Sequence, residues 1–166
     1  MNLKEELKKR LPNAERIALL GVGSELRSDD AAGLLVAKAV AQSKIAHSAF
    51  SKLKVFLGGT APENFSGEIK KFNPTQLIIV DSAELNQPAG AINLIRPDKI
   101  GGVSFCTHQL PLKIFIDYLL NSLKCDIIVI GIQPKIIDFG EAVSPQVKKA
   151  ARAVAQAILD VLKENG

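Results

Sequence analysis

Thirteen residues, GVGSELRSDDAAG from Gly21 to Gly33, hold the densest set of groups able to do chemistry. They carry Glu25, Asp29 and Asp30, follow the apolar run Ile17-Ala18-Leu19-Leu20 and lead into Leu34-Leu35-Val36. Two glycines between a strand and a helix usually form a phosphate cradle. Here the acids oppose that use, because a pyrophosphate would meet like charge. The spacing does not fit either. A dinucleotide fingerprint needs Gly at its first, third and sixth positions, and Leu26 stands at the sixth; no Gly-Lys-Ser/Thr of a Walker loop is present. The glycines then serve a tight strand-to-helix turn. The acids suit a helix N-terminus, where the dipole stabilises each by about 0.3–1 kcal/mol. Ser28 or Asp29 can cap that helix, which accounts for one acid and leaves the other to project toward the strand ends.

Three further residues complete the chemical inventory. Asp81 closes the apolar run QLIIV, and a carboxylate there is costly unless it is bonded, paired or bound to a metal. It is either a satisfied turn residue or a ligand. His108 stands in FCTHQLPL, where a helix begins. The helix dipole disfavours its imidazolium, and neutral imidazole is the metal-binding form. It is either a capping or packing residue or a ligand. Cys106, two residues away, is a small buried residue or a fourth ligand. Two carboxylates and one imidazole, Asp30, Asp81 and His108, would leave coordination positions open on a borderline divalent ion such as nickel or zinc. The other histidine, His47, lies in a polar stretch without acidic company and is expected at the surface.

The elements that must carry these groups follow from periodicity. Leu3, Leu7 and Leu11 recur every four residues, so 2–11 reads as an amphipathic helix ended by Pro12-Asn13. Strands are expected at 16–21, 53–57, 76–80 and 126–130, each a short apolar run of the kind buried on both sheet faces. Helices are expected at 29–43, 62–72 and 107–123, the last with Thr107 as cap and Pro111 in its first turn. A closing helix spans 144–164, with Ser144 as N-cap and Pro145 at the first helical position. Residues 91–95 also read as a strand, but only about eight residues separate it from the preceding one. A parallel crossover needs about a dozen, so this strand should run antiparallel at an edge. The expected fold is a three-layer α/β/α sandwich with a mainly parallel five-stranded sheet and one antiparallel strand. Sites in such sheets lie at the carboxyl ends of the strands, near the reversal of strand order.

Bulk properties are consistent with this. The chain has 166 residues, 47% of them apolar, which suits a single domain over residues 1–166. No apolar run approaches the ~20 residues of a membrane span. The charged start, MNLKEELKKR, reads as helix rather than as a secretory or transit segment. Two cysteines are too few for a disulfide framework. A cytoplasmic monomer is expected, with no nucleic-acid or membrane partner. The net charge of +4 comes from scattered lysines and arginines, with no Trp and one Tyr, so it reads as a solvated surface rather than a nucleic-acid face.

Five motifs in order, GVG with DD and Gly33, GGTAPEN at 58–64, LIIVDS at 77–82, THQLPL at 107–112 and GIQP at 131–134, resemble the [NiFe]-hydrogenase maturation endopeptidases. GGTAPEN and GIQP look most like the branch that processes the large subunit of hydrogenase 3 and related membrane-bound hydrogenases. The resemblance covers nearly the whole chain after residue 16. It implies the sandwich fold, and it implies metal binding and catalysis at Asp30, Asp81 and His108, with Asp29 matching the preceding acid. Ser24 departs from the family's Asn, which changes the loop's contacts; Glu25 is not needed and should lie exposed. The implied activity is removal of the C-terminal peptide from a large-subunit precursor once nickel is inserted. The implied cation is that nickel, carried by the substrate, with another divalent metal as an alternative. No Ser-His-Asp or Cys-His arrangement points to a covalent intermediate, so water is the expected nucleophile, activated by metal or by a carboxylate of aspartic-peptidase type. The alternatives are a non-catalytic nickel-sensing chaperone for the same precursor and, against the loop chemistry, a nucleotide-binding domain.

Overall fold

The computed structural model describes residues 2–12, 14–48, 52–106 and 111–165. The first helix, α1 (Leu3–Arg10), packs Leu7 inward, and Leu11, which ends it, is buried as well. The first strand, β1 (Ile17–Val22), is buried along its whole length. A 3₁₀ turn (Ser28–Ala31) and α2 (Ala32–Ala41) follow, then a short helix, α3 (Lys44–Ser48), which exposes His47. The second strand, β2 (Leu53–Gly59), leads through a 3₁₀ turn (Pro62–Phe65) into α4 (Ser66–Phe72). Then come β3 (Gln76–Glu84), β4 (Ile92–Ile95), β5 (Ser104–Phe105), α5 (Leu112–Ser122), β6 (Asp126–Ile132) and α6 (Pro145–Glu164).

The sheet order is β2-β1-β3-β6-β4, with β5 paired to β3. β1, β2, β3 and β6 run parallel, and β4 pairs antiparallel with β6 at the edge, as its short connection requires. The mainly parallel five-stranded sheet of the sequence reading is thus present, extended by the two-residue β5. Alternation divides the core. Leu19, Ile78, Val80 and Ile130 face α1, α2 and α6, while Ala18, Leu20, Ile79 and Val129 face α4 and α5. Strand order reverses between β1 and β3, so the crevice beyond their carboxyl ends is the expected place for a site.

Several expectations need correction. The helix expected at 29–43 opens with a 3₁₀ turn, and neither Ser28 nor Asp29 caps it. Ser28 has φ 46°, which starts the turn sharply and leaves both side chains free for distant partners. The helix expected at 62–72 is likewise divided into a 3₁₀ turn and α4. β3 does not stop at Val80. Beyond it, the strand loses β1 as a neighbour, yet β6 continues to Ser82 and β5 pairs with Ala83 and Glu84. Asp81 therefore lies inside a strand. The helix expected at 107–123 begins at Leu112 because Pro111 is extended, with ψ 131°. Residues 107–110, which include Thr107 and His108, lie outside the described residues. At α6, Ser144 holds the N-cap position and Pro145 the first helical position, as expected, although the Ser144 side chain is bonded elsewhere.

Two glycines allow the site loop to approach the sheet. A Cβ on Gly33 would lie 2.1 Å from the Val80 carbonyl oxygen and 2.3 Å from that of Val22. Only glycine lets the first turn of α2 rest on β1 and β3 this closely. Gly23, at φ 140°, would bring a Cβ within 1.8 Å of the Asp30 carbonyl oxygen.

Cys125 lies at the opposite end of the sheet, before β6. Burial, reinforced by the charge of Asp126, pushes its thiol up to about 12 from an ordinary 9.0. The folded chain thus retains a proton that the unfolded chain releases near pH 9. Its contribution to stability is complete below that pH and is lost as pH rises toward 12. At pH 8 a disulfide reagent should modify Cys125 far more slowly in the native protein than in urea; equal rates would show that burial does not shield the thiol.

Candidate active site

The residues at the crevice are positioned by β1, the 3₁₀ turn, the end of β3 and the loop after β6. Asp29, Asp30, Asp81 and Ser82 are all fully buried. Ser82 joins two of the three. Its hydroxyl donates to Asp30 Oδ1 at 3.0 Å, and its backbone N–H donates to Asp81 Oδ1 at 2.8 Å. The alternation of β3 explains this. Ser82 shares the face of Val80, toward α2 and the loop carrying Asp30. Both carboxylates thus bond to the same residue.

Arg27 approaches from the rim. Its guanidinium lies 4.0 Å from Asp30 Oδ2 and 5.6 Å from the centre of the Phe139 ring, and it donates to the Cys106 carbonyl at 3.3 Å. Cys106 continues the crevice, since its N–H donates to the Ser82 carbonyl at 3.4 Å. Burial pushes the Cys106 thiol up; a hydrogen bond with Ser82 opposes this, and the charges of Asp81, Asp30 and Glu84 add to it. A thiol held protonated in this way is a poor nucleophile at neutral pH.

Asp29 does not face the crevice. One oxygen accepts from the N–H of Lys135 at 2.8 Å and of Ile136 at 3.0 Å, and from the Ser144 hydroxyl at 2.8 Å. The other accepts from the Ser144 N–H at 2.6 Å. This carboxylate organises the long β6–α6 connection. Ser28 assists: its hydroxyl donates to the Ile136 carbonyl and accepts from the Asp138 N–H. The two loops together raise Leu26, Ile136 and Phe139 as an exposed apolar rim beside Arg27.

Asp29→Asn should therefore destabilise the fold. An amide would turn its NH₂ toward groups that are themselves donors, and hydrogen bonds to a buried charge are worth about 1.5–3 kcal/mol each. A loss of about 2–3 kcal/mol is expected, seen as a lower urea midpoint at unchanged slope. An unchanged midpoint would show that this carboxylate does not brace the loop.

Gln133, in GIQP, was not singled out from sequence as a structural residue. Its side-chain oxygen accepts from the N–H of Leu85 at 2.7 Å and of Gln87 at 3.4 Å, and its amide donates to Glu84 at 3.1 Å. It thereby shapes the turn from β3 to β4. Arg27 was also missed; its one signal was a cation inside an acidic loop. Ser24 is buried and accepts from the Leu26 N–H, a short turn contact that serine can make. Glu25 is exposed, as expected, and pairs with Lys38.

For a divalent cation, Asp30 and Asp81 would supply hard oxygen donors, a type that suits such an ion. Among the described residues, no three His, Cys, Asp or Glu side chains cluster closely enough to hold a metal by themselves. His108, the third expected ligand, lies outside the described residues. Likewise among the described residues, no helix is long and apolar enough to cross a membrane.

Comparison with known proteins sets this geometry in context. A family model described as hydrogenase maturation protease matches residues 36–161. The hydrogenase 3 maturation protease of Escherichia coli K12 is 36% identical over 139 residues, which span 83% of this chain and 85% of that protein. The crystal structure of the [NiFe] hydrogenase maturation protease HycI from Thermococcus kodakarensis superposes with a TM-score of 0.83 at 29% identity, over 95% of this chain and 99% of that one. The solution structure of the endopeptidase HycI from Escherichia coli gives a TM-score of 0.73 at 32% identity, over 91% and 92% of the two chains. With most of its length matched in both sequence and fold, the chain belongs to the HycI family of hydrogenase maturation proteases.

Proposed function

We propose that this chain is an endopeptidase that removes the C-terminal peptide from the precursor of a [NiFe]-hydrogenase large subunit after nickel insertion. The observation that carries the reading is the pair of buried carboxylates, Asp30 and Asp81, joined through Ser82 at the reversal of strand order. Buried like charges gathered in one crevice are suited to receive a cation. Here the cation is the nickel of the substrate, so the protease reads a loaded centre before it cuts. His108 would add a neutral nitrogen donor.

The hydrolysis needs no covalent enzyme intermediate. Water attacks the scissile carbonyl while one of the two carboxylates accepts its proton, and that proton then passes to the departing amine. Arg27 stands 4.0 Å from Asp30 and limits the accumulation of negative charge at the rim. The exposed Leu26, Ile136 and Phe139 offer apolar contact to the substrate chain beside the cut.

The test is incubation of the purified protein with nickel-loaded precursor, followed by precursor size on a gel. The reading expects a product shortened at its C-terminus. Binding that leaves the tail intact would instead make the protein an assembly chaperone.

A further inference from the structure

We infer that Ser82 is a positioning residue for the reaction: its hydroxyl sets the orientation of the Asp30 carboxylate while its backbone N–H sets that of Asp81. This inference rests on the proposed function for its kinetic part and on the geometry alone for its structural part.

Ser82 is fully buried, so no bulk water competes for its hydroxyl. The residue is fixed on both sides. Its Cα pairs with Ile132 of β6, and its carbonyl accepts from the N–H of Cys106 just after β5. A hydroxyl mounted on a strand held in this way has little freedom to follow a moving carboxylate. Asp30, by contrast, lies on a 3₁₀ turn outside the sheet. The 3.0 Å bond from Ser82 Oγ to Asp30 Oδ1 transfers the rigidity of the sheet to that turn. With Oδ1 held inside, Oδ2 is the oxygen turned toward Arg27.

The second bond gives the residue its particular value. Asp81 Oδ1 accepts from the Ser82 N–H at 2.8 Å. The two carboxylates come from segments about fifty positions apart in the chain, yet each takes its direction from the same residue. Ser82 thereby ties the placement of one carboxylate to that of the other. A misplacement of about 1 Å in a reacting group can cost on the order of 100-fold in rate, so this coupling bears directly on turnover.

Ser82→Ala removes the hydroxyl and keeps the backbone N–H, so of the two carboxylates it loosens Asp30 and leaves the bond to Asp81 in place. Ser82→Thr keeps the hydroxyl. With nickel-loaded precursor as substrate, Ser82→Ala should lower kcat by about 10–100-fold and leave KM within a factor of about three, and Ser82→Thr should recover most of the rate. The crystal structure of Ser82→Ala should show the Asp30 carboxylate turned away from its wild-type direction, with Asp81 unmoved. Wild-type kcat in Ser82→Ala would overturn the inference, and so would an Asp30 carboxylate that keeps its direction. If the wild-type protein itself leaves loaded precursor uncut, the proposed endopeptidase activity falls, and the carboxylate orientation in the variant crystal still decides whether Ser82 positions Asp30.

Discussion

Asp81→Asn is expected to cut nickel-loaded precursor at least ~1,000-fold more slowly than the wild-type chain, a barrier raised by about 4 kcal/mol. The fold should survive the change. Asp81 is fully buried in a strand paired with β6, and an asparagine oxygen can still accept from the Ser82 N–H. Volume and that contact are retained, and only charge is removed. A neutral amide is a weak ligand for a divalent ion and cannot take a proton from water. The measurement is a single-turnover processing assay, paired with a thermal unfolding curve. Near-normal processing would remove Asp81 from the reacting set, whatever the metal does.

The second large effect concerns the substrate. Nickel-loaded precursor should be processed about 100–1,000-fold faster than nickel-free precursor, equivalent to about 3–4 kcal/mol. Asp30 and Asp81 are both buried and both bonded to Ser82, so two acidic side chains are held close to one residue. An uncharged peptide brings them no counter-charge. A divalent cation is often the largest local charge in a site, and carboxylate oxygens are its natural donors. Rates should be compared at neutral pH with both precursors shown to be folded. Equal rates would mean that the carboxylate pair does not read the metal, and the recognition part of the proposal would fall while cleavage itself could stand.

The parts of this molecule that were legible in sequence are those with local causes. β1 and β6 are apolar runs buried on both faces, and the chain advertises them directly. β4 was assigned its antiparallel direction from loop length alone, and it pairs that way with β6. The closing helix announced itself through Ser144 and Pro145. Features with distant causes were hidden. Asp29 looked like a helix cap because its partners, Lys135, Ile136 and Ser144, lie more than a hundred positions away. β3 looked as if it ended at Val80 because the apolar run ends there, and nothing local reveals that β5 will pair with Ala83 and Glu84. Ser82 and Gln133 are uncharged polar residues with no local sign of a partner. Their roles exist only once β3 and β6 lie side by side. Of the expected ligands, Asp30 and Asp81 lie at the crevice, and His108 lies outside the described residues.

The bonds from Asp29 to Ser144 also bear on when the protein can act. One end of this clamp follows the first strand, and the other is the residue that starts the last helix. During synthesis, the site loop must wait for more than a hundred further residues before its buried carboxylate finds its donors. A nascent or prematurely terminated chain therefore carries Asp30 and Asp81 without the brace that holds their loop. A chain that stops before Ser144 is therefore expected to hold its site loop less firmly than one that includes it.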